Sequence, residues 1–196
     1  MKALLALIVP LSWLNDCVLR GARAIGMVAV AAMVIAILLQ VFFRYVLNNA
    51  LPWPDEAARF CMLWMTGLMA PTAFRRGGFV AIDTVPLMLP ARPAQMLALV
   101  LLALSLAVMV IAVQIGWKEV TGLGGRFASA SLYVPTSLGF DAWLRVPRSW
   151  MMASLVVGLV LLISVNIELI LRSLARLLDG QVALPLIPSG DVKGAE

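Results

Sequence analysis

Charged side chains crowd the stretch between Arg44 and Asp83, and their spacing limits what they can do. Trp53-Pro54-Asp55-Glu56-Ala57-Ala58-Arg59 reads as a helix start. Proline suits the first helical position, and Asp55 and Glu56 fall in the first turn, where the helix dipole favours negative charge. Arg59 follows Asp55 by four residues and Glu56 by three, so either acid reaches its guanidinium along one helical face. Two acids competing for one arginine leave a carboxylate for Arg44 across a short loop, or for a neighbouring chain. Arg44, Asp55, Glu56 and Arg59 are therefore candidates for locking two helices together or for docking another subunit. Further on, Phe74-Arg75-Arg76-Gly77-Gly78 sets two arginines at a flexible turn, with Asp83 beyond it. Arg75, Arg76 and Asp83 are candidates for anchoring at lipid phosphates or for holding an adjoining loop.

The elements that must position these residues are apolar and long. Four stretches, at about 25–47, 57–74, 94–116 and 150–171, each approach the length that crosses the ~30 Å hydrocarbon layer of a bilayer at about 1.5 Å of rise per helical residue. Backbone polar groups in lipid must be satisfied within their own segment, so runs this continuous predict helices. A soluble bundle would show a polar face on each helix, whereas residues 94–116 offer only Gln95, Ser105 and Gln114. With 63% hydrophobic and 13% charged residues, the chain has too few charges to coat a water-soluble globule. The expected fold is an all-α integral membrane protein with four transmembrane helices in a domain over residues 25–178.

The ends are read separately. Lys2 and the apolar run Ala3 to Leu11 imitate a secretory signal, with Ala22-Arg23-Ala24 as a loose cleavage site, but Pro10, Trp13, Asn15 and Asp16 interrupt the run. Residues 1–24 are expected to form a short amphipathic helix in the membrane interface before the first crossing. The tail over 179–196, with Pro185, Pro188 and Gly190, is expected to be loosely ordered. Four crossings put both termini on one side, together with nine of the fifteen Lys and Arg, leaving six for the other. Positive charge resists translocation, which points to cytoplasmic termini. Trp53, Trp117 and Trp150 fall near the expected helix ends, as interfacial anchors do.

Much chemistry is excluded. The chain has no histidine, which removes histidine-ligated haem, most catalytic zinc arrangements and histidine proton relays. Cys17 and Cys61 form no CxxC pair, and no serine-centred motif offers a nucleophile. No metal, cofactor or catalytic residue is expected, and the chain does not read as an enzyme. The formal charge of +5 is scattered near helix ends rather than gathered in one stripe, so membrane lipids, not nucleic acid, are the expected counter-charge. Nor do the spans carry a clustered set of polar ligands: Glu168 has Arg172 four residues on, and Gln40, Gln114 and Asn166 suit hydrogen bonds between helices.

In its ordered features, the chain resembles the small transmembrane subunit, often called the Q or DctQ-like subunit, of tripartite ATP-independent periplasmic (TRAP) transporters. The features are a first span ending in Arg44-Tyr45, Trp53 and an acidic pair opening the second, a glycine-containing turn leading to Ile82-Asp83, and then Leu89-Pro90. Val134-Pro135 and Val146-Pro147 fit more loosely, and the resemblance covers roughly residues 25–171. Phe79 stands where many relatives carry histidine, and Asp55 replaces the first member of a common glutamate pair.

The resemblance implies a bacterial inner-membrane complex in which a periplasmic binding protein delivers an organic acid to a large membrane subunit driven by a sodium gradient. The small subunit then serves as a static scaffold for the large one. The leading alternative from another class, a small membrane enzyme or electron-transfer subunit, lacks the histidine or paired cysteines that would ligate a metal. A second is a self-associating channel or transporter, in which Gln40, Asn166 and Glu168 would face a wet pore.

Overall fold

A computed structural model describes residues 2–77, 90–135 and 143–178. Asp83 and the tail over 179–196 lie outside the described residues, so the expectations placed on them stay with the sequence. The described chain runs α1 (Lys2–Tyr45), α2 (Trp53–Arg75), α3 (Ala91–Thr121), a single turn α4 (Leu123–Arg126), β1 (Ala128–Pro135), β2 (Trp143–Pro147) and α5 (Arg148–Leu178).

The expected break near residue 24 does not occur: the N-terminal segment and the first span are one helix of 44 residues. At about 1.5 Å per residue it is roughly 66 Å long, twice the ~30 Å hydrocarbon thickness, so only part of it fits within lipid. One buried stripe explains the continuity. Ile8, Ser12, Asn15, Leu19, Ala22 and Gly26 are buried, and their alternating spacing of four and three keeps them on one face past residue 24. The polar residues that interrupt the apolar run are therefore part of the packed face or border it.

Helix α2 opens with proline in its first turn and closes where the N–H of Arg76 donates to Thr72 and that of Gly77, at φ +79°, donates to Phe74. That left-handed position is one glycine takes without the Cβ penalty. The α1–α2 connection, by contrast, includes Asn48 at φ 51°, a conformation that asparagine tolerates better than most residues.

The long helices lie in the order α1, α2, α5, α3, with α1 also touching α5. Helices α1 and α2 run antiparallel, with Asp16 at Arg75 and Gly26 at Met69. Helices α2 and α5 run parallel and touch backbone to backbone at Gly67 and Gly158. A Cβ at Gly67 would stand 2.4 Å from the Ser154 carbonyl oxygen, and one at Gly158 would stand 2.6 Å from that of Gly67. Small residues permit this approach, as is usual where helices associate in lipid. Helix α3 packs antiparallel on α5, where the Asn166 amide donates to the Leu102 carbonyl at 3.1 Å and the Ser105 hydroxyl at 3.0 Å.

Among the described residues, three helices are long and apolar enough to cross a membrane, over 6–45, 92–121 and 148–178. Helix α2, with 23 residues, is long enough at roughly 34 Å but less apolar. Its place between α1 and α5 accounts for the difference, because a helix shielded by neighbours can carry Thr72 and Arg75 on buried positions. Exposed apolar residues cover the outer faces, including Val100, Leu104, Val108, Ile111 and Ile115 on α3. Such a continuous patch is foreign to water-soluble monomers and natural against lipid or another chain.

The all-α expectation needs one amendment. The third connection contains an antiparallel hairpin in which Ala128 pairs with Pro147 and Tyr133 with Arg145, with an irregularity between Ala128 and Tyr133. The prolines close strand ends, where a missing N–H costs the ladder little.

Candidate functional site

Two polar constructions stand at opposite ends of the bundle. At the end where α2 finishes, Arg75 is buried, with about 5% of its side chain exposed. Its guanidinium pairs with Asp16 of α1 and, through Nη2, with Oε1 of Glu168 on α5 at 2.9 Å; Nη2 also donates to the Ser12 carbonyl at 3.3 Å. Glu168 is fully buried. Its Oε1 also accepts from Arg172 Nε at 2.9 Å, with Arg172 Nη2 at 2.8 Å, while Oε2 accepts from Asn15 Nδ2 at 2.7 Å. Asn15 in turn accepts from the Ser164 hydroxyl at 2.7 Å.

Two carboxylates, two guanidiniums and an amide thus tie α1, α2 and α5 together with zero net charge. Balance matters, because an isolated charge in a low-dielectric interior is costly whereas a paired, hydrogen-bonded one is tolerated. Helix periodicity assembles the set: Ser12, Asn15 and Asp16 share one side of α1, and Ser164, Glu168 and Arg172 follow at four-residue steps on α5.

At the other end, the Glu56 carboxylate clamps the hairpin onto α2. It accepts from the backbone N–H of Ala130 at 3.0 Å and of Ser131 at 2.6 Å, and from the Ser131 hydroxyl at 2.7 Å. The same hydroxyl lies 3.0 Å from the Pro52 carbonyl oxygen. Glu56 precedes the apolar run that starts at Ala57. Burial alone would raise its pKa, but the hydrogen bonds from Ser131, Ala130 and Leu132 outweigh burial and hold it below the usual glutamate value.

The residues singled out in the sequence are distributed differently from the expectation. Among the described residues, no ion pair joins Arg44 or Arg59 to Asp55 or Glu56. Arg44 lies 5.8 Å over the Tyr45 ring, Asp55 and Arg59 are exposed, and Glu56 serves the hairpin. The physical reason is competition: backbone amides fixed in the hairpin satisfy the Glu56 oxygens, while a water-exposed ion pair gains little. Arg76 is exposed. Arg75 does not face lipid, because Asp16 and Glu168 supply its counter-charge inside the bundle. The Glu168–Arg172 pair expected from the i,i+4 spacing is present, and it carries Arg75 and Asn15 as well. Cys17 and Cys61 are free thiols.

Comparison with known families finds a match to the model of the tripartite ATP-independent periplasmic transporters, DctQ component, over residues 33–176. Comparison with curated proteins and with solved structures gives no match. The match spans the last third of α1 through most of α5, including Arg75, Glu168 and Arg172, while Asn15 and Asp16 precede it. The chain belongs to the DctQ component family of TRAP transporters, and is a multi-pass membrane protein.

Proposed function

We propose that this DctQ component is the static scaffold of a sodium-driven, binding-protein-dependent transporter for an organic acid in the bacterial inner membrane. Helix α2 crosses the membrane beside α1 and α5, making four crossings with both termini cytoplasmic. The large membrane subunit carries the cargo against this fixed frame, and a periplasmic binding protein delivers it to the hairpin side.

The buried network carries the scaffold reading. The Glu168 oxygens are occupied by Arg75, Arg172 and Asn15, so the most buried charged group among the described residues is spent on helix positions rather than held open for a solute. The parallel Gly67–Gly158 approach adds a contact that leaves little room for sliding. The sodium and organic-acid assignments rest on the family resemblance of the sequence. The cytoplasmic termini rest on the excess of Lys and Arg on their side.

Reconstitution tests the proposal. The chain alone in liposomes gives no sodium-dependent uptake of organic acid, and uptake requires the large subunit and the binding protein. Substituting Asp55→Ala and Glu56→Ala together weakens co-purification of the large subunit more than it weakens solute binding by the periplasmic protein. Uptake by the chain alone, or a pure homo-oligomer that conducts ions, would replace the scaffold with a freestanding channel or transporter. Unchanged co-purification and transport in the double variant would remove Asp55 and Glu56 from the docking surface.

A further inference from the structure

We propose that the groove between α2 and α5 on the hairpin side binds an anionic glycerophospholipid, with its phosphate between Arg59 and Arg148 and an acyl chain running toward Leu162. The placement rests on α2 crossing the membrane beside α5. The lipid itself is a separate matter from the scaffold role.

The mouth of the groove is a cavity of about 430 Å³, bordered by Glu56, Arg59, Arg148, Met151 and Met152. That volume lies within the roughly 300–1,000 Å³ of ordinary small-molecule sites. Leu63, Ser154 and Leu155 line both this mouth and a narrower trough below it, so the two are continuous. The trough passes Gly67, Ala70, Gly158, Leu159 and Leu162. Its floor is low because the helix backbones touch at Gly67 and Gly158, and leucines form its walls.

Charge selects the occupant. Arg59 and Arg148 are exposed at the mouth, and neither is in an ion pair among the described residues. Glu56, the carboxylate lining that mouth, has its oxygens turned to the Ala130 and Ser131 amides. Two guanidiniums therefore face the cavity with a net positive field, a geometry suited to phosphate oxygens.

Length matches too. From Arg59 to Ala70 along α2 is roughly 17 Å, and from Arg148 to Leu162 along α5 is roughly 21 Å. Half of a ~30 Å hydrocarbon layer plus the glycerol region covers the same depth. The groove thus presents a cationic mouth at headgroup level and an apolar trough one leaflet deep.

Native mass spectrometry of the full chain in mild detergent tests this, with phosphatidylglycerol and phosphatidylcholine of identical acyl chains as probes and inorganic phosphate as a third arm. One phosphatidylglycerol is expected to remain per chain, in preference to phosphatidylcholine. Each of R59Q and R148Q should weaken its retention about 5-fold, and the pair about 25-fold. Leu155→Trp, which fills the exposed groove wall without entering the core, should lower retention of both lipids. Millimolar phosphate should not displace the lipid. Equal retention by wild type and R59Q/R148Q, no preference between the lipids, or displacement by phosphate alone would overturn the proposal. These readouts need no large subunit, so they succeed or fail independently of transport.

Discussion

Replacing Glu168 by glutamine keeps the shape of the side chain and removes one negative charge from the centre of the buried network. Two cations and two anions are balanced there, so Glu168→Gln leaves one excess positive charge among buried groups, with Arg75 supported by Asp16 and the Ser12 carbonyl. Breaking a buried pair in this way costs about 3–5 kcal/mol. That corresponds to a roughly 150- to 4,000-fold rise in the unfolding constant. A neutral interhelical hydrogen bond in a membrane bundle is worth only ~0.6 kcal/mol, so the two accounts of Glu168 differ enough to separate. Unfolding of the detergent-solubilised chain by titrated dodecyl sulfate, followed by tryptophan fluorescence and far-ultraviolet circular dichroism, measures the loss. Asp16→Asn should cost less, about 1 kcal/mol, because 28% of that side chain is exposed and water screens it. The double variant Arg75→Gln, Glu168→Gln restores neutrality and should lose at least 1 kcal/mol less than the sum of the two single variants. A Glu168→Gln loss below 1 kcal/mol, or strict additivity in the cycle, would refute the claim that balanced charge fixes these three helices.

Two further outcomes follow from the helix crossing and the hairpin clamp. Gly67→Ala places a Cβ 2.4 Å from the Ser154 carbonyl oxygen and should destabilise by about 1–3 kcal/mol in the same titration, whereas Gly21→Ala, with nothing within 4 Å, should be neutral or stabilising by up to ~1 kcal/mol. Because hydrogen bonds hold the Glu56 carboxyl below its usual range in the folded chain, its contribution is complete above about pH 4.3 and is lost as pH falls through the lower folded value. Amide exchange at Ala130 and Ser131, expressed as protection factors, should therefore be constant near neutral pH and fall only in acid, and Glu56→Gln should show reduced protection at every pH.

How much of this was legible before the fold depends on whether a residue's partner is local. The centres of the long helices could be read directly, since lipid-facing apolar runs need no knowledge of neighbours, and residues 94–116 and 150–171 fall inside α3 and α5. The continuity of α1 was present as a pattern and obscured by hydropathy. Asn15 and Asp16 lower the local average, yet the steps Ile8, Ser12, Asn15, Leu19, Ala22 and Gly26 trace one helical face whatever the polarity of its members. The hairpin was harder, because Ala128 to Ser131 are small and weakly strand-forming, and what holds them is a carboxylate 74 and 75 residues earlier.

Arg75 marks the boundary of what spacing can reveal. An arginine at the end of an apolar helix is equally well served by a lipid phosphate, by an acid one turn away or by an acid on another helix, since all three supply the same oxygen chemistry. Its partner Glu168 is 93 residues distant and already has a satisfactory local explanation in Arg172 four residues on. Only packing breaks the tie. The parallel α2–α5 contact at Gly67 and Gly158 sets the helices in register, and the ten residues from Gly158 to Glu168 rise about 15 Å against about 12 Å for the eight from Gly67 to Arg75. The remaining few ångströms are within the reach of an arginine side chain, so the small-residue crossing selects the ion pair. A variant that reopened the crossing while keeping every charge, such as Gly67→Ala, should therefore also loosen the network at the far end of the same two helices.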